Sequence, residues 1–176
     1  MGTKNTILFR RTRMEDKLNI LFQYWNKFDS KVLISEIKPT DNIVIENLIA
    51  ETTKYCRYSG RLTWILIDWI IRNIDKINTE KLLKLTSEIG DISVLGLISD
   101  LAKEKRRNDK LEYIITSSKP NEKKEIFFYR VSKSKLASKI TMEHSIPIFD
   151  KWNFYCNELK YLTTDNELIN NNLHNI

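Results

Sequence analysis

The chain has 176 residues, 41% of them apolar, and carries 29 Lys/Arg against 23 Asp/Glu for a net charge of +6. That is enough apolar material for one domain of about 130–150 residues with short appendages, and too much for a chain disordered throughout. Four glycines and three prolines disfavour an all-β fold built on tight turns and leave little room for a glycine loop that cradles phosphate.

In chain order, residues 1–14 lack the long apolar core of a secretory leader. Met14, Leu18, Leu21, Trp25 and Phe28 then recur at steps of three and four, which predicts an amphipathic helix over 13–29 with a broad aromatic face. That face is expected to be core, and it is also the candidate surface for a homodimer. Pro39 pushes Lys38 towards extended backbone, and Thr40 or Asp41 is placed to cap a helix running to about Tyr58. Ser59-Gly60 breaks it.

Leu62–Ile74 has nine apolar residues in thirteen and no clean polar face, as expected of a helix at the centre of the core. At thirteen residues, with Asp68 and Arg72 inside, it is too short and too charged to span a bilayer, so no membrane partner is expected. Arg72 lies four residues after Asp68, the spacing of an ion pair on one helix face, so Asp68 reads as a paired buried charge and not as a catalytic acid. Asn78 or Thr79 can cap a helix over 79–89. Gly90 offers a left-handed stop, and Asp91 can cap a further helix over 91–105.

Beyond it, Leu111–Thr116 and Glu125–Val131 are rich in aromatic and β-branched residues and flank a polar stretch containing Pro120. This composition predicts a β-hairpin with a basic tip. Ser132 is expected to cap a short helix over 133–140, and Pro147 to open a last helix with Phe149 and Trp152. The Asn-rich residues 163–176 read as a flexible tail. The expected architecture is mainly α with one β-hairpin. It comprises an N-terminal arm and helix (1–40), a helical core (41–162) and the tail, and three helices plus hairpin over 61–131 have the order of a winged helix.

The charge is concentrated. Residues 101–140 hold twelve Lys/Arg against five acids, while the other 136 residues hold 17 and 18. The cations of Lys103-Glu104-Lys105-Arg106-Arg107, at the far end of a helix, oppose the negative end of its dipole, which accounts for one or two of the four without a partner. With Lys110, Lys119, Lys123, Lys124, Arg130 and Lys133 they form the candidate nucleic-acid-binding set of ten. Major-groove reading is disfavoured, because the start of the helix after Asp91 is acidic and apolar. Phosphate contact is what these residues suit.

Catalytic signals are missing. The only histidines are His144 and His174, and no Cys pair has metal-ligand spacing. No phosphate loop, nucleophile elbow or Cys–His pairing stands in the sequence. The expectation is a non-enzymatic chain without cofactor or metal. Cys56 and Cys156 are too few and too far apart for a disulfide framework and suit a reducing, cytoplasmic compartment. The heavy Asn, Ile and Lys usage looks like that of an AT-rich bacterial or phage genome.

Two functions follow: a binder of DNA or RNA, or a protein that meets an acidic partner, such as an inhibitor of a nucleic-acid enzyme, through the basic strip and exposed aromatics. The bland alternative is that the basic segment keeps a small domain soluble. Leu82-Leu83, the turn at Gly90-Asp91 and the run Val94-Leu95-x-Leu97-Ile98 resemble the winged-helix antitoxins of bacterial nucleotidyltransferase-type toxin systems over at most about a third of the chain. The resemblance implies a non-enzymatic protein that binds DNA, neutralises a partner protein, or both.

Overall fold

The structure is a computed structural model that describes residues 13–28 and 42–157. The arm before residue 13, the cap at Thr40 or Asp41 and the tail over 163–176 lie outside the described residues. The chain is mainly helical. Six helices form the body: α1 (Met14–Lys27), α2 (Ile45–Thr53), α3 (Gly60–Asn73), α4 (Thr79–Ile89), α5 (Ile92–Lys105) and α6 (Asp109–Ser117). A smaller C-terminal part lies against them, made of β1 (Glu125–Ile126), α7 (Tyr129–Ser132), α8 (Lys135–Glu143), α9 (Pro147–Lys151) and β2 (Phe154–Tyr155). A 3-10 turn at Cys56–Tyr58 joins α2 to α3, and a second one, Ile74–Lys76, follows α3.

The helix boundaries follow local chemistry. Ser59 does not simply end the preceding helix; its Oγ accepts from the Leu62 N–H and caps α3. Asn78 caps α4, and Asp91 Oδ1 accepts from the N–H groups of Ser93 and Val94 to cap α5. Ser134, rather than Ser132, caps α8. Pro147 opens α9, where its missing N–H leaves no helix bond unmade. Gly90 is extended, with φ −109° and ψ −155°, and is not the left-handed stop expected of it. Its constraint is space: a Cβ there would stand 2.6 Å from the Ala50 carbonyl oxygen and 2.8 Å from Thr53 Oγ1. That close approach packs the α4–α5 corner on α2, where Thr53 Oγ1 accepts from the Asp91 N–H.

The aromatic face of α1 is used within the chain. Leu21 and Trp25 are fully buried, Trp25 packs 5.6 Å from Trp69 of α3, and its Nε1–H donates to Thr52 Oγ1 of α2. The most continuously buried helix is α5, with every residue from Ser93 to Ala102 inside. The expected centre, now α3, packs against it and is itself buried along most of its length. Asp68 Oδ2 accepts from Arg72 Nε and Nη2 at 2.9 and 2.7 Å, the ion pair that the spacing of the two residues predicts.

The β-hairpin is a correction. Residues 109–117 are helical, capped by the Asn108 side chain, with Leu111, Ile114 and Ile115 buried at helical spacing. The β-branched composition there was outweighed by that apolar stripe and by the burial it allows against α5. The second half of the expected hairpin keeps a strand of only two residues, β1, and β1 pairs with β2 in parallel (Glu125 beside Phe154, Ile126 beside Tyr155). Ile126, Phe127 and Phe128 are all buried, so the run lacks the in–out alternation of a surface hairpin. With α6 in place of a strand, no antiparallel wing follows α5, and the winged-helix arrangement of 61–131 is not present.

Two anchors fasten the C-terminal part to the body. Trp152 lies against Gly96 of α5, where a Cβ would fall 2.1 Å from two indole carbons, and its Nε1–H donates to Asp100 Oδ2. Asn153, at φ 58°, takes the left-handed turn that Asn tolerates and leads the chain from α9 into β2. The second anchor is Arg57, in the turn between α2 and α3. Its side chain is buried, its Nε donates to the Phe127 carbonyl (3.0 Å), Nη2 to the Ile126 carbonyl (2.9 Å) and Nη1 to Glu125 Oε1 (2.8 Å). Phe127 then sits edge-on to Phe128, Phe149 and Phe154 in an aromatic cluster of its own.

Both anchors can be tested by urea denaturation. Gly96→Ala is expected to cost about 2 kcal/mol, because overpacking against a rigid indole outweighs the ~1 kcal/mol of helix propensity that alanine brings. Arg57→Ala is expected to cost about 3 kcal/mol or more, since it leaves two buried carbonyls without donors.

Candidate nucleic-acid interface

The ten cations named from the sequence fall on three parts of the fold. α5 and α6 are joined by a short connection and run antiparallel, with Lys103 paired to Glu112 at one end and Gly96 beside Ser118 at the other. The nine residues of α6 therefore separate Lys103–Lys110 from the loop of Lys119, Lys123 and Lys124 by about 13 Å. Arg130 and Lys133 lie elsewhere again, on α7 and its end, where α7 meets the Cys56–Tyr58 turn.

Several of the ten are engaged inside the fold. Lys103 pairs with Glu112. Arg106 Nη1 donates to the Ile71 carbonyl (2.8 Å) and Nη2 to Asp75 Oδ2. Lys110 Nζ donates to the carbonyls of Asp75 and Ile77, at 2.7 and 2.8 Å. These contacts close the exposed end of α3 on the start of α6, and hydrogen bonds from Asn108 and Arg106 hold the Asp75 carboxyl below its ordinary range. Lys124 Nζ lies 2.9 Å from Asp150 Oδ1 and 4.3 Å from the Tyr155 ring centroid, and Asp150 holds the ammonium pKa above its ordinary value. Arg130 sits over the Phe128 ring, and Lys105 is also engaged. Arg107, Lys119, Lys123 and Lys133 are exposed and have no ion-pair partner among the described residues.

The concavity beside Lys110, about 480 Å³, is lined by Asp75, Lys76, Asn78, Glu80 and Lys110. It presents both signs of charge and favours no anion. A different place has one sign only. Between Glu125 and Glu143 the chain contains no acid, and Arg130, Lys133, Lys135 and Lys139 all fall in that interval. The four are exposed on α7 and α8, and Lys139 is paired, loosely at 3.8 Å, with Glu143 of its own helix. Lys135 and Lys139 were not in the set chosen from the sequence, although the acid-free interval was readable there.

Tyrosines border this corner. Tyr58, at the end of the 3-10 turn, is 44% exposed and its ring centroid lies 4.6 Å from that of Tyr129 on α7. The Arg57 guanidinium stands 4.2 Å from the Tyr129 centroid, and burial pushes the Tyr129 hydroxyl above its ordinary pKa. Tyr55 continues the row, 6.4 Å from Tyr58. Glu125, the nearest acid on β1, is held by Arg57, which keeps its carboxyl below the usual range. On α8, Leu136 is 71% exposed and Ile140, one turn on, 42%.

The buried nucleophiles have no access to this surface. Cys56 is fully buried and its thiol is pushed up to about 12, so it stays protonated. His144, at the end of α8, is exposed. Among the described residues no three His, Cys, Asp or Glu side chains are grouped to hold a metal, and no helix is long and apolar enough to cross a membrane. Comparison with protein-family models, with curated proteins and with solved structures found no match to this chain.

One carboxylate is poorly placed for stability. Glu51 is buried on α2, its Oε2 has no hydrogen-bond partner, and Lys54 is 3.9 Å away. Burial raises its pKa in the folded chain, against which Lys54 and Lys17 act. A carboxyl raised on folding takes up its proton more readily in the native state, so its contribution falls as pH rises from the unfolded value near 4.5 through the folded one. Glu51→Gln is therefore expected to raise the unfolding midpoint at pH 7, with the gain shrinking towards pH 4, as read by thermal melts across that range.

Proposed function

We propose that the protein is a non-enzymatic nucleic-acid-binding protein that contacts phosphates through the α7–α8 corner. The observation that carries this reading is the acid-free interval from Ile126 to Met142, which sets Arg130, Lys133, Lys135 and Lys139 on exposed short helices. Such a patch attracts a polyanion and gives binding governed by counterion release. Arg107, Lys119 and Lys123, also exposed, add to the field without sharing the patch. Arg106 and Lys110, tied to Asp75 and to backbone carbonyls, serve the fold first in this reading.

The test is a fluorescence anisotropy titration with labelled single-stranded and duplex oligonucleotides over a series of salt concentrations. Affinity is expected to fall steeply with salt. The double substitution Lys133→Glu with Lys135→Glu is expected to weaken binding and to flatten the salt slope by about two units, one per lost contact. Stability should stay within about 0.5 kcal/mol, because neither side chain is engaged in the fold. No binding of either oligonucleotide at about 50 mM salt overturns the assignment.

A second reading, an antitoxin-like neutraliser or an inhibitor of a nucleic-acid enzyme, is favoured by one observation. Leu136 and Ile140 expose an apolar stripe beside the same lysines, the kind of anchor that protein interfaces bury. A partner retained after nuclease treatment and lost in Leu136→Glu would favour it over the first.

A further inference from the structure

We infer that the nucleic acid bound at the α7–α8 corner is single-stranded, with an unpaired base stacked on Tyr58; the inference rests on the nucleic-acid reading above. Tyr58 and Tyr129 stand 4.6 Å apart, and Tyr58 is close to half exposed. Neither phenol hydroxyl bonds to another described residue, so both ring edges keep a free donor and acceptor. A lone exposed tyrosine on a surface is ordinary, but this one stands at the edge of the acid-free cationic interval.

The Tyr129 ring is backed by a buried cation. Arg57 is buried, each of its three nitrogens donates to one of Glu125, Ile126 and Phe127, and its guanidinium lies against Tyr129. Tyr129 is followed at once by Arg130 and, four residues on, by Lys133. A base placed on Tyr58 thus has cations beside it for the adjoining phosphates. That is the combination by which proteins hold single strands, stacking platforms along a positive track. Duplex bases have both faces covered by their neighbours, so a side-chain ring can take only an unpaired base. The acids closest to the row do not oppose this. Glu125 is neutralised by Arg57, Asp91 is committed to capping α5, and Glu51 is buried on α2.

The test compares a labelled single-stranded oligonucleotide with the duplex of the same sequence. Tyr58→Ala is expected to weaken single-strand binding about tenfold or more while duplex binding changes by less than about twofold. Tyr58→Phe, which keeps the ring, should stay within about twofold of the parent protein. Cross-linking of the unaltered protein to an oligonucleotide carrying 5-iodouracil, with the adduct mapped by mass spectrometry, is expected to mark Tyr58 or Tyr129 and needs no substitution. If the duplex binds as tightly as the single strand and Tyr58→Ala changes nothing, while Lys133→Glu still weakens both, stacking is wrong and phosphate binding stands. Adducts confined to other residues also overturn the stacking. If neither oligonucleotide binds, the nucleic-acid reading falls with it.

Discussion

The buried guanidinium of Arg57 is the constraint on which the arrangement of the C-terminal part depends. Removing such a group from water costs several kcal/mol unless its donors are met. Here a carboxylate and two backbone carbonyls accept from its three nitrogens, one bond each, and two aromatic rings, Tyr129 and Phe154, lie within 4.2 and 5.1 Å. The acceptors come from Glu125, Ile126 and Phe127, so satisfying Arg57 fixes the path of β1. That path places Phe127 in its aromatic cluster and sets Tyr129 and α7 against the turn between α2 and α3. A two-residue strand pair could not hold this position alone, since short pairs are marginal without packing.

The distribution of charge shows why a cationic run is not yet a surface. The antiparallel turn from α5 into α6 folds the run back on itself and brings Glu112 to Lys103. Asp75, from the turn after α3, takes Arg106 and lies beside Lys110. What reads along the chain as an excess of seven charges is broken in space into engaged pairs at one end of α6 and a loop at the other. Among the described residues, the stretch over α7 and α8 holds cations with no acid between Glu125 and Glu143. Its weight in the proposed function would depend on that absence rather than on the number of lysines.

Much of the helical body was legible because its signals are local. The apolar spacing of α1, α3, α4 and α5, the caps Asn78 and Asp91, the Asp68–Arg72 pair and Pro147 at the first turn of α9 all act within a few residues. Residues 109–117 misled through composition: Tyr113, Ile114, Ile115 and Thr116 favour strands, while the helical spacing of Leu111, Ile114 and Ile115 and the Asn108 cap were the stronger signal. The anchors were not legible at all. Arg57 meets its partners 68 to 70 residues away, and Gly96 meets Trp152 across a similar span. No periodicity reports contacts at that separation. The candidate site was legible only as a charge excess, because the Tyr58–Tyr129 row exists only once Arg57 has brought the two segments together.

That dependence bears on how the proposed surface would work. Holding a single strand costs the ordering of both partners, and a ring already fixed in place loses little freedom on binding. Tyr58 belongs to the same turn as Arg57 and directly follows it, and Tyr129 is held against the guanidinium. Lys133 and Lys135, by contrast, are exposed and have no ion-pair partner among the described residues. In the proposed reading the corner would join an aromatic step to adaptable cations, a division in which the rings would set where a base sits and the charges would tolerate whatever path the backbone takes around it. Discrimination between bases would have to come from the free phenol hydroxyls, since stacking accepts every base with a π face.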